Sequence, residues 1–192
     1  PTRSGGAEHE QDEMVEPLSV VILAAGRGTR MKNERPKVLH GLAGRTLIGH
    51  VLATAQALGP SKLVVVLGRD MAPVAAEVTR QVPDAAIVVQ DPPMGTGHAL
   101  QVAAPELRTD GAVLVLYGDT PLMTEATLRA LLERRRADAA AVAVLGMRPP
   151  DSTGYGRLRL GAAGALEAIV EHKHCDPELL AEGFCNSGVM AR

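Results

Sequence analysis

The stretch Leu18-Ser-Val-Val-Ile-Leu-Ala-Ala-Gly-Arg-Gly-Thr-Arg-Met31 decides the fold. Its first half, Leu18 to Ala24, is a short and nearly continuous apolar run, which is typical of a strand buried on both faces. The second half is a glycine-rich polar turn that follows the strand directly. Because ligands of open α/β sheets bind outside the carboxyl ends of the strands, this stretch predicts a parallel sheet and the edge where a ligand binds.

Apolar runs and amphipathic segments alternate after this stretch. Strands are predicted over 62–67, 85–89, 112–117 and 139–145, with helices over 46–58, 71–82, 96–107 and 124–136. After Pro149-Pro150 the pattern changes to a hairpin, 155–160 and 166–171, and a last strand over 184–191. Such alternation implies βαβ units. We therefore expect an α/β fold: a Rossmann-like, mostly parallel sheet with helices on both faces and a small β-hairpin insertion.

The composition is that of an ordinary globular chain. The 192 residues suffice for one domain with a core, the net charge is -2, and only two Tyr and one Phe are present. The slightly negative net charge and the scarcity of aromatic side chains disfavour a nucleic-acid partner. No run approaches the roughly 18 apolar residues of a membrane span, so we expect a cytoplasmic protein without a membrane partner. We expect a flexible extension over 1–17 and one domain over 18–192, incomplete at its C-terminal end.

The glycine-rich turn predicts a phosphate-binding loop. Gly26 and Gly28 allow the backbone to approach a ligand, and their N–H groups can form an anion-binding nest. Arg27 and Arg30 add positive charge that suits phosphate. A dinucleotide-binding fingerprint is incomplete, because Met31 stands where the third glycine belongs. A purely structural turn stays open as an alternative, but a triphosphate-binding loop is favoured.

Two more charged residues, Lys37 and Asp119, are expected at the same edge of the sheet. Pro36 fixes its φ, so Lys37 stands on a stiff stem near the loop, which favours a phosphate clamp over a solvated lysine. Asp119 comes directly after the buried run 112–117, where a lone carboxylate is a natural Mg²⁺ ligand. The alternative for Asp119 is a turn residue that caps the helix starting near Thr124.

The end of the third strand carries a different set of polar groups. Gln90 ends this strand and can read a base edge through paired donor and acceptor atoms. The segment Gly95-Thr96-Gly97-His98 opens a helix whose first N–H groups are free for a ligand. We interpret His98 as structural. His172 and His174 lack a third ligand at a suitable spacing, which argues against a zinc site.

Seven motifs together resemble a known family. The chain resembles the uridylyltransferase domain of bacterial N-acetylglucosamine-1-phosphate uridylyltransferases over roughly residues 18–192. In order, the motifs are Leu23-Ala-Ala-Gly-x-Gly-Thr-Arg-Met31, Pro36-Lys-Val-Leu-His40, Gly95-Thr-Gly-His-Ala99, Leu116-Tyr-Gly-Asp119, Thr153-Gly-Tyr-Gly-Arg157, Ile169-Val-Glu-His-Lys173 and Asn186-Ser-Gly188.

The resemblance implies a fold of the nucleotide-diphospho-sugar transferase type and a reaction. UMP would pass from UTP to N-acetylglucosamine 1-phosphate, giving UDP-N-acetylglucosamine for cell-wall precursors and releasing pyrophosphate. The implied catalytic residues are Arg30, Lys37 and Asp119. Arg30 and Lys37 would contact the triphosphate and stabilise charge in the transition state, and Asp119 would bind Mg²⁺. The implied nucleotide-binding residues are Leu23, Ala24, Ala25, Gly26, Gly28, Thr29, Gln90, Gly95 and Thr96. The implied sugar-binding residues are Tyr117, Gly118, Gly156, Glu171 and Asn186.

Departures from the family keep two alternatives open. The family's second Mg²⁺ ligand is an Asn further downstream, and its acetyltransferase half, a left-handed β-helix, would follow as well. We expect a homotrimer only if that β-helix is present. Cys185 stands where the family commonly has an aliphatic residue, and His174 replaces a common Asp. The alternatives are a nucleotidyltransferase for another sugar phosphate or nucleotide, such as glucose 1-phosphate or dTTP, and a non-catalytic nucleotide-binding fragment.

Overall fold

The most apolar strands pair in parallel at the centre of one sheet. The computed structural model describes residues 16–26, 35–162 and 164–192. In chain order the strands are β1 (Leu18–Leu23), β2 (Gly41–Leu42), β3 (Arg45–Thr46), β4 (Lys62–Gly68), β5 (Ala86–Gln90), β6 (Ala112–Tyr117), β7 (Ala143–Met147), β8 (Arg157–Leu160), β9 (Leu166–Val170) and β10 (Cys185–Ala191). The helices are α1 (Leu47–Ala57), α2 (Ala72–Gln81), α3 (Thr96–Ala103), α4 (Glu125–Ala137) and α5 (Pro177–Glu182).

The sheet has a parallel half and an antiparallel half. Its order is β5-β4-β1-β6-β10-β8-β9, with β7 paired to β10. The pairs β1–β4, β1–β6 and β4–β5 are parallel. β10 runs antiparallel to β6, β7 and β8, and β8 forms an antiparallel hairpin with β9. The predicted α/β sheet and its hairpin insertion are therefore confirmed.

Helices cover both faces of the parallel half, as the sequence predicts. Val20 and Ile22 of β1 are fully buried in a cluster with side chains of α1, α2 and α4. Val21 points the other way and packs with Ala99 and Ala103 of α3. Because successive side chains of a strand face opposite sides, this two-sided burial explains the nearly unbroken apolar run of β1. No helix in the described segments is long and apolar enough to span a membrane.

Side-chain caps start three of the helices. Thr46 Oγ1 accepts from Gly49 N at 3.1 Å at the start of α1, and Thr124 Oγ1 accepts from Thr127 N at 3.2 Å at the start of α4. Asp176 Oδ1 accepts from Leu179 N at 2.8 Å in α5. Each cap satisfies an N–H group that has no partner within its helix, which is worth about 1 kcal/mol.

Several boundaries differ from the prediction. The strand predicted over 139–145 is β7, which begins four residues later, because Ala139 has a φ of 46° and ends the turn after α4. The helix predicted over 96–107 ends at Ala103, and a 3₁₀ turn follows over Ala104–Glu106. A proline within that turn lacks the N–H that a continuing α-helix needs.

The segment after the hairpin is helical rather than extended. His172–His174 form a 3₁₀ helix after the strand β9. The short helix α5 was not predicted, and neither was the two-stranded ribbon of β2 and β3. All these elements are six residues or shorter, so their sequences contain too few turns or alternations to show a period.

Burial in the parallel half should control the stability of the fold. Replacing the fully buried Leu114 of β6 by Ala should lower the free energy of unfolding by about 2–5 kcal/mol, through lost burial and a cavity. Leu122 in the turn after β6 is 82% exposed, so Leu122→Ala should change the free energy of unfolding by about 0.5 kcal/mol or less. Urea unfolding followed by far-ultraviolet circular dichroism compares the two variants. Equal effects would contradict the assigned core.

Candidate functional site

The carboxyl ends of β1 and β6 lie side by side. Leu23 is in register with Tyr117, and Gly118 N donates to Leu23 O at 2.9 Å just beyond the paired residues. A Cβ on Gly118 would lie 3.0 Å from the Ala24 Cβ, so a larger residue would push the two segments apart. The segment that carries the glycine turn and the segment that carries Asp119 therefore leave the sheet from adjacent positions, as the sequence predicts.

An ion pair joins two of the predicted catalytic residues at this edge. Lys37 Nζ lies 2.9 Å from Asp119 Oδ2. Lys37 opens a 3₁₀ turn whose next two residues, Val38 and Leu39, are buried and hold the turn against the core. Asp119 is not the cap of α4, because Thr124 has that role. Of the interpretations considered for Asp119, the helix-cap alternative is therefore wrong.

The remaining loop residues are described only in part. Gly28, Thr29 and Arg30 lie outside the described residues, as does Arg27. The described part, Leu23 to Gly26, continues from β1 and is held by a hydrogen bond from Ala24 N to Val66 O at 2.9 Å.

Gly68 borders this loop at the end of β4. A Cβ there would lie 2.9 Å from Ala25 O, so the loop backbone runs across a position that only glycine leaves open.

A second group of predicted residues lies at the end of β5. Gln90 is 4% exposed, and its Nε2 donates to Gly95 O at 2.8 Å. The same Nε2 lies 3.2 Å from His98 Nδ1. Gly95 has a φ of 92° and precedes α3, so its C=O can face the Gln90 side chain while the helix starts at Thr96. The Gln90 amide is thus hydrogen-bonded to the residue that precedes the exposed N-terminus of α3.

Tyr117 lies between the residues predicted to bind the nucleotide and those predicted to bind the sugar. The Thr96 side chain is within hydrogen-bonding reach of the Tyr117 phenol, which brings the start of α3 close to the end of β6. Burial raises the pKa of the Tyr117 phenol, and the negative charge of Asp119 acts in the same direction, whereas the Thr96 hydrogen bond opposes both. The phenol therefore stays protonated and neutral at physiological pH.

The predicted sugar-binding residues are linked through backbone contacts. Asn186 N donates to Gly156 O at 2.9 Å, and Asn186 Oδ1 accepts from Gly188 N at 2.8 Å. A Cβ on Gly156 would lie 4.0 Å from Glu171 Oε1, and one on Gly188 would lie 2.5 Å from the Tyr117 ring. The structure therefore connects Gly156, Glu171 and Asn186 to the end of β6, next to Gly118.

The chemistry of Asp119 fits a magnesium ion shared with phosphate. No group of three or more His, Cys, Asp or Glu within the described segments could hold a metal ion. Mg²⁺ usually takes one or two protein carboxylates and fills its shell with water and phosphate oxygens. The Asp119 side chain is 36% exposed, and its carboxylate forms an ion pair with the Lys37 ammonium. A single carboxylate at this position is therefore sufficient for such an ion.

Two residues near the site, Gly68 and Gly188, gained no role from the sequence, and both leave room for neighbours. His98, which the sequence analysis interprets as structural, contacts the Gln90 amide. A glycine directly after the apolar run of β4 is a signal that could have identified Gly68, because such positions favour close backbone approach. The contact of Gly188 with Tyr117 joins residues far apart in the sequence, so no local pattern announces it.

Comparisons with known proteins agree with this geometry. The model of the family described as MobA-like NTP transferase domain matches residues 20–177. A protein of Streptomyces coelicolor named Bifunctional protein GlmU is 49% identical over 180 residues, which are 92% of this chain and 37% of that protein. A protein of the same name from Paramagnetospirillum magneticum is 51% identical over 176 residues, 91% of this chain and 38% of that protein. These matches confirm the resemblance predicted from the seven motifs.

Solved structures show the same fold. The inositol-1-phosphate CTP transferase of T. maritima superposes with a TM-score of 0.71 at 15% identity, covering 92% of this chain and 70% of that one. HddC from Yersinia pseudotuberculosis, complexed with GMP-PN, gives a TM-score of 0.69 at 22% identity, covering 90% and 75%. At these identities the likeness concerns the fold alone. The chain spans little more than a third of the length of the GlmU relatives.

The close approach of Gly188 to Tyr117 leads to a prediction with a matched control. Gly188 has a φ of 86° and Gly183 a φ of 61°, so Ala at either site costs about 1–2 kcal/mol of backbone strain. A Cβ at Gly183 meets no described atom within 4 Å, whereas one at Gly188 collides with the Tyr117 ring. Gly188→Ala should therefore lower the free energy of unfolding by about 1–3 kcal/mol more than Gly183→Ala.

Urea unfolding followed by circular dichroism provides the measurement, since the chain has no Trp for fluorescence. Equal losses in the two variants would show that the Tyr117 ring moves aside freely, and would contradict the close packing of β10 against the end of β6.

Proposed function

The chain belongs to the family of MobA-like NTP transferase domains, and from this we propose that it transfers UMP from UTP to N-acetylglucosamine 1-phosphate. The products are UDP-N-acetylglucosamine, a precursor for cell-wall synthesis, and pyrophosphate. The similarity to the GlmU proteins supports this choice over the other nucleotidyltransferases of the same fold.

One observation carries the proposal: the Lys37–Asp119 ion pair beside the joined ends of β1 and β6. A cation and a carboxylate capable of holding a metal stand 2.9 Å apart where the phosphate-binding turn leaves the sheet. Both side chains are more than a third exposed, at 41% and 36%, so the pair contributes little to stability. The position of this pair at the carboxyl edge of the parallel strands, where ligands of open α/β sheets bind, supports contact with a charged substrate.

The proposed reaction is an in-line attack of the sugar phosphate on the α-phosphorus of UTP. The nucleophile is already an anion, so no general base is needed, and the task of the protein is to position two anions that repel each other. The Lys37 ammonium offsets charge on the triphosphate as the pyrophosphate leaves. Asp119 would hold Mg²⁺, which when bound supplies further positive charge to the phosphate oxygens. Arg30 is proposed to assist Lys37.

The remaining residues are proposed to bind the two substrates. The segment Leu23 to Gly26, with Gly28, Thr29, Gln90, Gly95 and Thr96, would hold the nucleotide. Tyr117, Gly118, Gly156, Glu171 and Asn186 would surround the sugar. The proximity of Thr96 to Tyr117 supports a common pocket, because one residue belongs to each set. A cytoplasmic location and a trimer formed through a downstream β-helix stay predictions.

The central assay measures pyrophosphate release from UTP and N-acetylglucosamine 1-phosphate in the presence of Mg²⁺. Asp119→Asn keeps the size of the side chain but removes its charge, and it should slow release by about 10²–10³, the range found when one stabilising group is removed from a reacting site. Asp110→Asn is the control. Asp110 precedes the same strand β6 at its opposite end, where it pairs with Arg108 on the surface.

Two outcomes would contradict the proposal. One is normal turnover by Asp119→Asn, and the other is an equal loss in Asp110→Asn. A panel that includes glucose 1-phosphate and dTTP identifies the substrates. Equal rates with glucose 1-phosphate and N-acetylglucosamine 1-phosphate would favour a transferase for another sugar phosphate over the proposed acceptor. UTP binding without pyrophosphate release would indicate a non-catalytic binding module.

A further inference from the structure

The Gln90 amide is held from two sides within the protein. Its Nε2 lies 2.8 Å from Gly95 O and 3.2 Å from His98 Nδ1. Gln90 is 4% exposed, so its side chain has little room to adopt another rotamer. His98 is in the first turn of α3, and the next residue, Ala99, is buried against the sheet. The imidazole is therefore carried by a helix that is itself fixed.

The chemistry of these partners determines which way the amide faces. A backbone C=O only accepts, so the NH₂ group must face Gly95, because the flipped amide would bring two oxygens together. Gly95 O also accepts from Ala99 N at 3.2 Å, so both of its lone pairs are used. For His98 Nδ1 to accept the second N–H of Gln90, the imidazole must carry its proton on Nε2. Both N–H groups of Gln90 are thus used inside the protein.

We propose that His98 is a positioning residue that fixes the Gln90 amide with Oε1 as the atom offered to the base. This inference rests on the proposed function and concerns its choice of nucleotide. Any further hydrogen bond of Gln90 is made through an acceptor, so the base must supply a donor. The N3–H of uracil does so, whereas N3 of cytosine is itself an acceptor and would face Oε1 with a second lone pair.

The role of His98 differs from simple packing. A histidine that merely filled space could be replaced by any side chain of similar size without changing which base is preferred. An orienting histidine can be replaced only by a side chain with an acceptor at the position of Nδ1. Asn provides one, because its Oδ1 occupies nearly that position, whereas the longer Gln places its oxygen further out and Phe has no acceptor.

The test compares His98→Asn, His98→Gln and His98→Phe with the unchanged chain. Dissociation constants for UTP, CTP and 3-methyl-UTP are measured by calorimetry, and kcat/KM is measured for pyrophosphate release with UTP and CTP. We expect the unchanged chain to prefer UTP over both CTP and 3-methyl-UTP. The UTP-to-CTP ratio should fall by about 10-fold or more in His98→Phe and His98→Gln, as loss of one oriented hydrogen bond implies, and stay close to the original in His98→Asn.

The outcomes separate this inference from the proposed function. An unchanged ratio in all three variants, with pyrophosphate release intact, overturns the role of His98 and leaves the function standing. An equal loss of UTP and CTP binding in all three variants overturns it too, because it indicates a structural role. If the unchanged chain neither binds UTP nor releases pyrophosphate, both proposals fail. Circular dichroism monitors folding. If His98→Phe unfolds, the UTP-to-CTP ratios of His98→Asn and His98→Gln still test the role of His98.

Discussion

The pairing of β1 with β6 is the constraint on which the site depends. It joins two strands that are separated by more than eighty residues, and it continues one step beyond the strands through the hydrogen bond from Gly118 N to Leu23 O. Gly118 has no side chain to hold it away from Ala24, so the segments stay in contact where they leave the sheet. Because this contact is fixed, the segments that begin at Ala24 and Gly118 cannot separate at the sheet edge without breaking the buried pairing of β1 with β6.

The charged groups of the site are positioned by this strand pairing and contribute little to its stability. The Lys37–Asp119 pair is half-exposed, and an exposed pair contributes at most about 1 kcal/mol. Burial of Val38 and Leu39 holds the lysine in place instead. The protein therefore uses apolar contacts to position a charge that water screens only in part. This arrangement lets Lys37 and Asp119 exchange partners without loss of the fold, as the proposed binding of a triphosphate requires.

The sequence predicted the parallel half well because its signals are local. A run such as Leu18 to Leu23, in which Ser19 is the one polar residue, is nearly continuous in apolar side chains only if both faces are covered, so the strand and the helices around it follow from one stretch. The start of β7 was placed too early, because the small apolar residues after Ala139 fit a strand and a turn equally well. Contacts such as that of Gly188 with Tyr117 could not be predicted, since they depend on the order of strands in the sheet. The geometry of Gly28, Thr29 and Arg30 stays a prediction.

The antiparallel direction of β10 explains how the residues predicted to bind the sugar reach the same edge as Tyr117. In the parallel strands only the carboxyl ends lie at the ligand edge, so a parallel β10 would begin at the opposite side of the sheet. β10 instead runs against β6, with Met190 opposite Val115, and its earlier residues therefore extend past the end of β6. The register shift between Asn186 and Met190 and the positive φ of Gly188 bend this part of the strand against Tyr117. One reversal of chain direction thus brings the Asn186–Gly188 segment against Tyr117 at the end of β6, the edge where the proposed nucleotide site lies.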